Sequence, residues 1–198
     1  MNVSFGSREI RDLIVAWVAL GVAFTFFFER VTVTTIGAYV GSRAFLAALA
    51  VSLLTAGVGF LLHELAHKVV AVRYGQVAAF RADYGLLALA VLGGLAGFLF
   101  AAPGAVVHRG RLTERQGGLI ALAGPVTNLA LAAVFAPLAF LGVDLAIRGV
   151  SINLLLAGFN MLPVGPLDGN TVRRWSLPVY VAVAAPSILL AAVALLYV

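Results

Sequence analysis

Residues 44–62 run for nineteen positions without a charge, and the motif His63-Glu64-Leu65-Ala66-His67 follows at once. As an α-helix such a run is about 28 Å long, close to the roughly 30 Å hydrocarbon thickness of a bilayer. Five further uncharged apolar stretches occupy residues 13–28, 86–107, 119–143, 150–167 and 177–198. Charged residues make up only 11% of the 198, against roughly 25% in a soluble domain. So few cannot cover a water-facing surface. A soluble enzyme, a disordered chain and a nucleic-acid-binding domain are therefore excluded. The net charge of +5 belongs instead to the loops on one side of a membrane. Cysteine is absent, which removes disulfides, thiolate zinc ligands and thiol nucleophiles.

The first run is followed by Glu29 and Arg30 rather than by small residues, so it reads as a retained helix and not as a signal peptide. The third run contains Gly93, Gly94, Gly97, Pro103 and Gly104, which weaken a simple helix. Basic residues concentrate on the cytoplasmic side of membrane proteins. If the segment from Arg73 to Gly118 begins and ends on one side, ten of the thirteen basic residues share that side; a single crossing would split them six to seven. The expectation is a re-entrant piece: a strand near 77–84, a short apolar helix, and an extended stretch over 98–108 bent at Pro103-Gly104. The chain then reads as one all-α polytopic membrane domain over 1–198. It has about six transmembrane helices, with a re-entrant, partly extended segment between the second helix and the helix carrying Gly124 to Asn128. No internal repeat or linker divides it.

His63 and His67 stand four apart, on one face of a helix, and can reach one metal ion. Glu64 lies about 100° round, close enough to act as general base on a metal-bound water. Ionisable groups at membrane depth are costly and mark function. Asp168 is the carboxylate suited to complete the ligand set. It ends the stretch 160–169, Asn-Met-Leu-Pro-Val-Gly-Pro-Leu-Asp-Gly, whose prolines and glycines break any helix. In the re-entrant topology Asp168 and both histidines share one depth. A single crossing would part them by roughly 30 Å, and metal bonds are about 2 Å. Asp168 could otherwise serve as a helix-end cap or a partner of Arg173. Gly124 and Pro125 lie in the fourth run, where small residues let helices approach closely. Asn128 is either an interhelical hydrogen-bond partner or a group near the site. Asn160 can donate to the oxyanion of a tetrahedral intermediate, or brace the broken helix. His108, among Arg109, Gly110 and Arg111, reads as a solvated loop residue.

Three ordered motifs resemble those of the site-2 protease family of intramembrane zinc metalloproteases: His63 to His67, Gly124 to Asn128, and Asn160-x-x-Pro163-x-x-x-Leu167-Asp168-Gly169. The stretch 100–107 also resembles the re-entrant segment of archaeal members. The resemblance covers a core of about 44–175, flanked by helices 13–28 and 177–198. It implies one zinc per chain held by His63, His67 and Asp168, with Glu64 as the catalytic base. From its position, Asn160 is expected to join Glu64 in the catalytic set, and Asn128, Gly124, Pro125 and Pro163 are expected to line the site. It implies hydrolysis of peptide bonds within or next to a substrate's transmembrane helix. The expected setting is the cell membrane, with the site and the N-terminus towards the cytoplasm, and with membrane proteins and lipid as partners rather than nucleic acid. Many relatives carry a PDZ or CBS domain, for which this chain has no room. The competing readings are a catalytically silent zinc-binding scaffold and, less well suited to ligands gathered at one depth, a metal transporter.

Overall fold

In the computed structural model, residues 3–99 and 104–196 are described. The first apolar run forms α1 (Ser7–Phe28), which starts earlier than its uncharged portion. The extra turns exist because Glu9 and Asp12 are buried against other elements rather than solvated. Helix α1 buries Ala16, Leu20, Ala23 and Phe24, a stripe at helical spacing, against Phe60, Phe80, Leu87 and Ala90.

After a single turn, α2 (Ile36–Tyr39), the second run is continuous over 31 residues, Arg43–Arg73. It comprises α3 (Arg43–Ser52), one π-helical turn (Leu53–Gly57) and α4 (Val58–Arg73). The wide turn has a physical cause. The indole of Trp17 donates to the Leu53 carbonyl at 3.0 Å, and a Cβ on Gly57 would collide with the same ring. A side chain inserted into the helical ladder is a usual origin of such a bulge.

The expected strand, short helix and extended piece follow as β1 (Val77–Ala82), α5 (Tyr84–Leu95) and β2 (Gly104–Arg109). The proposed bend at Pro103 lies outside the described residues. Asp83 caps α5 by accepting from the N–H groups of Gly85 and Leu86. The strands pair antiparallel, from Val77 opposite Arg109 to Ala82 opposite Gly104. The segment therefore returns to the level at which it left α4. Gly104 is obligatory in this register: its φ is +153°, and a Cβ would strike the Arg81 carbonyl.

Helix α6 (Glu114–Phe140) opens with a Thr113–Gln116 capping box and contains Pro125 and Pro137. It packs along α7 (Asp144–Asn160), where Gly149 admits the ring of Phe135. The fifth run was expected over 150–167, but the helix begins at Asp144 and stops at Asn160, ahead of Pro163 and Pro166. The chain resumes as α8 (Asp168–Trp175) and α9 (Leu177–Leu195). Among the described residues, four helices are long and apolar enough to cross a membrane: Ser7–Phe28, Arg43–Arg73, Glu114–Phe140 and Leu177–Leu195. This is a mostly helical membrane protein with a two-stranded sheet. α5, apolar but only 12 residues long, and α7, with 17, are shorter than these four, so the structure gives four such helices where about six spans were expected.

Two contacts orient the bundle. Glu9 at the start of α1 meets Lys68 near the end of α4, and Glu29 beyond the end of α1 meets Arg148 in the first half of α7. The beginning of α1 and the motif end of α4 thus share one end of the molecule.

Candidate active site

Helical spacing brings His63 and His67 of α4 side by side, with ring centroids 4.6 Å apart. Asp168, the first residue of α8, reaches both: its Oδ2 lies 3.2 Å from His63 Nε2 and 3.3 Å from His67 Nε2. The broken stretch before α8 allows this, since a continuous helix through 160–168 would carry the carboxylate past the histidines. The ligating atoms of His63, Glu64 and His67 also lie within 4.8 Å of one another, and all three residues are buried.

The far nitrogens of both rings settle the tautomers. His67 Nδ1 is 2.7 Å from the Ile120 carbonyl, which can only accept. His63 Nδ1 is 2.6 Å from Asn128 Oδ1. That oxygen is identified by its own amide, which donates to the Gly59 carbonyl and to Asn153 Oδ1. Asn153 in turn donates to the Gly149 carbonyl. Both Nδ1 atoms therefore carry hydrogen, and in neutral rings both Nε2 lone pairs face Asp168.

This donor set fits a zinc ion. Glu64 Oε2 and Asp168 Oδ2 are buried without a hydrogen-bond partner among the described residues. Tetrahedral ligands on bonds of about 2.0–2.1 Å sit about 3.3 Å apart, which matches the two Asp168 distances. Gly124 supplies the remaining room: a Cβ there would lie 2.5 Å from His63 Nε2 and from His67 Nε2. Next to it, buried Pro125 lacks an N–H and so leaves the Ala121 carbonyl without a helical donor, one residue on from the Ile120 carbonyl that faces His67.

The centre opens into a cavity of about 770 Å³. One wall is β2, with Gly104, Val106 and His108 along it, and Asn160 and Pro166 stand on another. Two expectations need correction. Pro163 is exposed and does not line the cavity; Pro166, three residues on, does, because the chain turns back at Gly165. His108 is exposed as expected, but it sits on a strand opposite Ala78 and not in a loop. Asn160 donates to Leu156 of its own helix at 2.9 Å while bordering the cavity. Sequence reasoning missed Asn153, although an amide inside an apolar run is a signal of the same kind as Asn128. It also missed the Ile120 carbonyl, which no side chain advertises.

Two imidazoles, a carboxylate from another helix and an adjacent glutamate, set among membrane-length helices, define the class as a metalloprotease-type centre in a membrane protein. Comparison with known proteins agrees. The chain is 39% identical over 192 residues to a protein of Methanocaldococcus jannaschii, covering 93% of each. It is 35% identical over 123 residues to one of Mycobacterium tuberculosis, covering 58% of this chain and 28% of that one. It is 33% identical over 147 residues to one of Bacillus subtilis, covering 61% and 66%. Their names are Putative zinc metalloprotease MJ0611, Rip3 and YwhC respectively. No family profile matches the chain, and no solved structure does. The chain belongs to this site-2 protease-like family of zinc metalloproteases.

Proposed function

We propose that the protein is an intramembrane endopeptidase that cuts membrane proteins within or next to a transmembrane helix, using one zinc ion per chain. The observation that carries this reading is the convergence of His63 Nε2, His67 Nε2 and Asp168 Oδ2 beside the unpaired Glu64, at the floor of a cavity walled by a strand edge.

Zinc at this position supplies a Lewis acid for the scissile carbonyl and lowers the pKa of a water it binds towards about 7. The protein's own groups do the rest. Glu64 takes the proton of the attacking water and passes it to the leaving amine. Asn128 and the Ile120 carbonyl hold the imidazoles in the ligating tautomer. One amide hydrogen of Asn160 is held by Leu156, and the other is left to donate to the developing oxyanion.

A helical substrate must first be unwound, because its carbonyls are engaged along the helix. An extended substrate then pairs with β2. Phe80 donates its N–H to Glu9, away from β2. The pairing alternates, so Val77, Ala79 and Arg81 face β2, and the main-chain groups of Gly104, Val106 and His108 face outward. Among the described residues no strand covers that edge. The concentration of basic residues supports a cell-membrane orientation with the site and the N-terminus towards the cytoplasm and the β1–α5–β2 segment re-entrant.

The test pairs zinc analysis with cleavage of single-span model helices carrying helix-breaking residues, for the wild type and Glu64→Gln. About one zinc per chain in both, with cleavage by the wild type alone, is the expected result. Zinc in both without cleavage by either would indicate the silent scaffold. Absence of zinc from both would sink the ligand assignment.

A further inference from the structure

Lys68 follows His67 directly, and it is almost wholly buried, as is Glu9. Its Nζ donates to Glu9 Oε1 at 2.6 Å, to Glu9 Oε2 at 2.7 Å and to the Ser4 carbonyl at 2.6 Å, and it sits 3.7 Å above the ring of Phe5. Glu9 Oε1 also accepts the Phe80 N–H at 3.0 Å. One carboxylate therefore joins α1, the helix that bears both histidines, and the outward backbone of β1. A buried pair is an expensive way to obtain stability, since apolar residues of similar volume often do as well. What an apolar pair cannot do is accept an N–H at a defined height along a strand.

The pair's location gives that height a use. A small cavity of about 130 Å³ lies between Glu9, Lys68, Phe80, Glu64 and Val106. Val106 is opposite Phe80 in the register. Moving β1 along its axis would carry β2 with it, because the ladder ties the two strands. The outward groups of Gly104, Val106 and His108 would then shift relative to Glu64 and the histidines. Displacements of about 1 Å in substrate position are costly to a reaction.

We infer that Glu9 and Lys68 are positioning residues, which hold the open edge of β2 in register with the metal centre so that a paired substrate presents its scissile bond there. The inference rests on the proteolytic reading, and its tests separate the two. In Glu9→Leu/Lys68→Met both charges go together, so no buried charge is orphaned, but Phe80 loses its acceptor. The expected result is zinc content equal to wild type, kcat within about twofold, and KM raised about tenfold, as a misplaced edge demands. Glu9→Gln/Lys68→Met likewise orphans no charge but keeps an acceptor for Phe80, and should keep KM within about threefold. A purely structural role would instead lower the active fraction, and so kcat, at unchanged KM. That pattern, or wild-type KM in Glu9→Leu/Lys68→Met, overturns the inference.

Should Glu9→Leu/Lys68→Met not fold, amide exchange in the zinc-loaded wild type decides. The Phe80 amide should exchange as slowly as that of Ala79, which faces β2, and far more slowly than that of His108. Exchange as fast as His108 refutes the clamp. Failure of the wild type to cleave any substrate would refute the proteolytic reading and leave the exchange result standing.

Discussion

Gly124→Ala is the substitution whose effect can be worked most directly from the geometry. A Cβ at this position would sit 2.5 Å from His63 Cε1, His63 Nε2 and His67 Nε2. Ordinary contact begins at 3.4 Å, so about 0.9 Å must be found. Metal–ligand bonds tolerate only about 0.2 Å. The rings cannot retreat, because their Nδ1 atoms are held by Asn128 and by the Ile120 carbonyl. Nor can α6 withdraw without breaking those same bonds. Zinc affinity should fall by about 100-fold or more, since loosening outer partners alone costs 10- to 100-fold. Alanine stabilises a helix interior by about 1 kcal/mol over glycine, so weakened helicity cannot be the cause. The assay is competition with a chelator of known zinc affinity in detergent, with circular dichroism as the check on fold. Gly117→Ala, on the same helix with open space around it, is the control and should bind zinc normally. Zinc binding by Gly124→Ala within threefold of wild type would refute the close-approach argument.

Other consequences follow from the same contacts. Asn128→Ala should weaken zinc binding about 10- to 100-fold, by freeing the His63 ring and leaving Asn153 without its partner; a change below threefold would show that the ring is held by packing alone. His108→Pro removes one outward N–H from β2 while leaving the ladder donors in place, so cleavage should fall with zinc content unchanged. His108→Ala keeps that N–H and should cleave normally, and equal losses in the two variants would point to the imidazole instead.

Much of the site was legible in the chain because its logic is local. Two histidines four residues apart share a helix face whatever the fold. The prolines and glycines before Asp168 announce a broken segment at membrane depth. The count of basic residues favoured the topology that brings Asp168 to the histidines, and in the structure the end of β2 lies beside the start of β1. Helix ends were less legible. Helix α1 begins ahead of its apolar run because Glu9 and Asp12, themselves buried, find partners in Lys68 and Tyr84.

By itself, the sequence pointed to the membrane setting, the histidine pair on α4, the glutamate beside it and the carboxylate of Asp168 that joins them, since charge scarcity, helical period and chain breaks act over neighbouring residues. Tertiary structure alone decided which imidazole nitrogens face Asp168, why a side chain at residue 124 would collide with both imidazoles, and which strand edge no other strand covers among the described residues. The partners that settle these points are 53 residues apart for His67 and Ile120, 65 for His63 and Asn128, and 71 for Glu9 and Phe80. No local period links residues so far apart. Their meeting is set by how helices and strands pack, and by the need of each buried polar group for a partner where no water can serve.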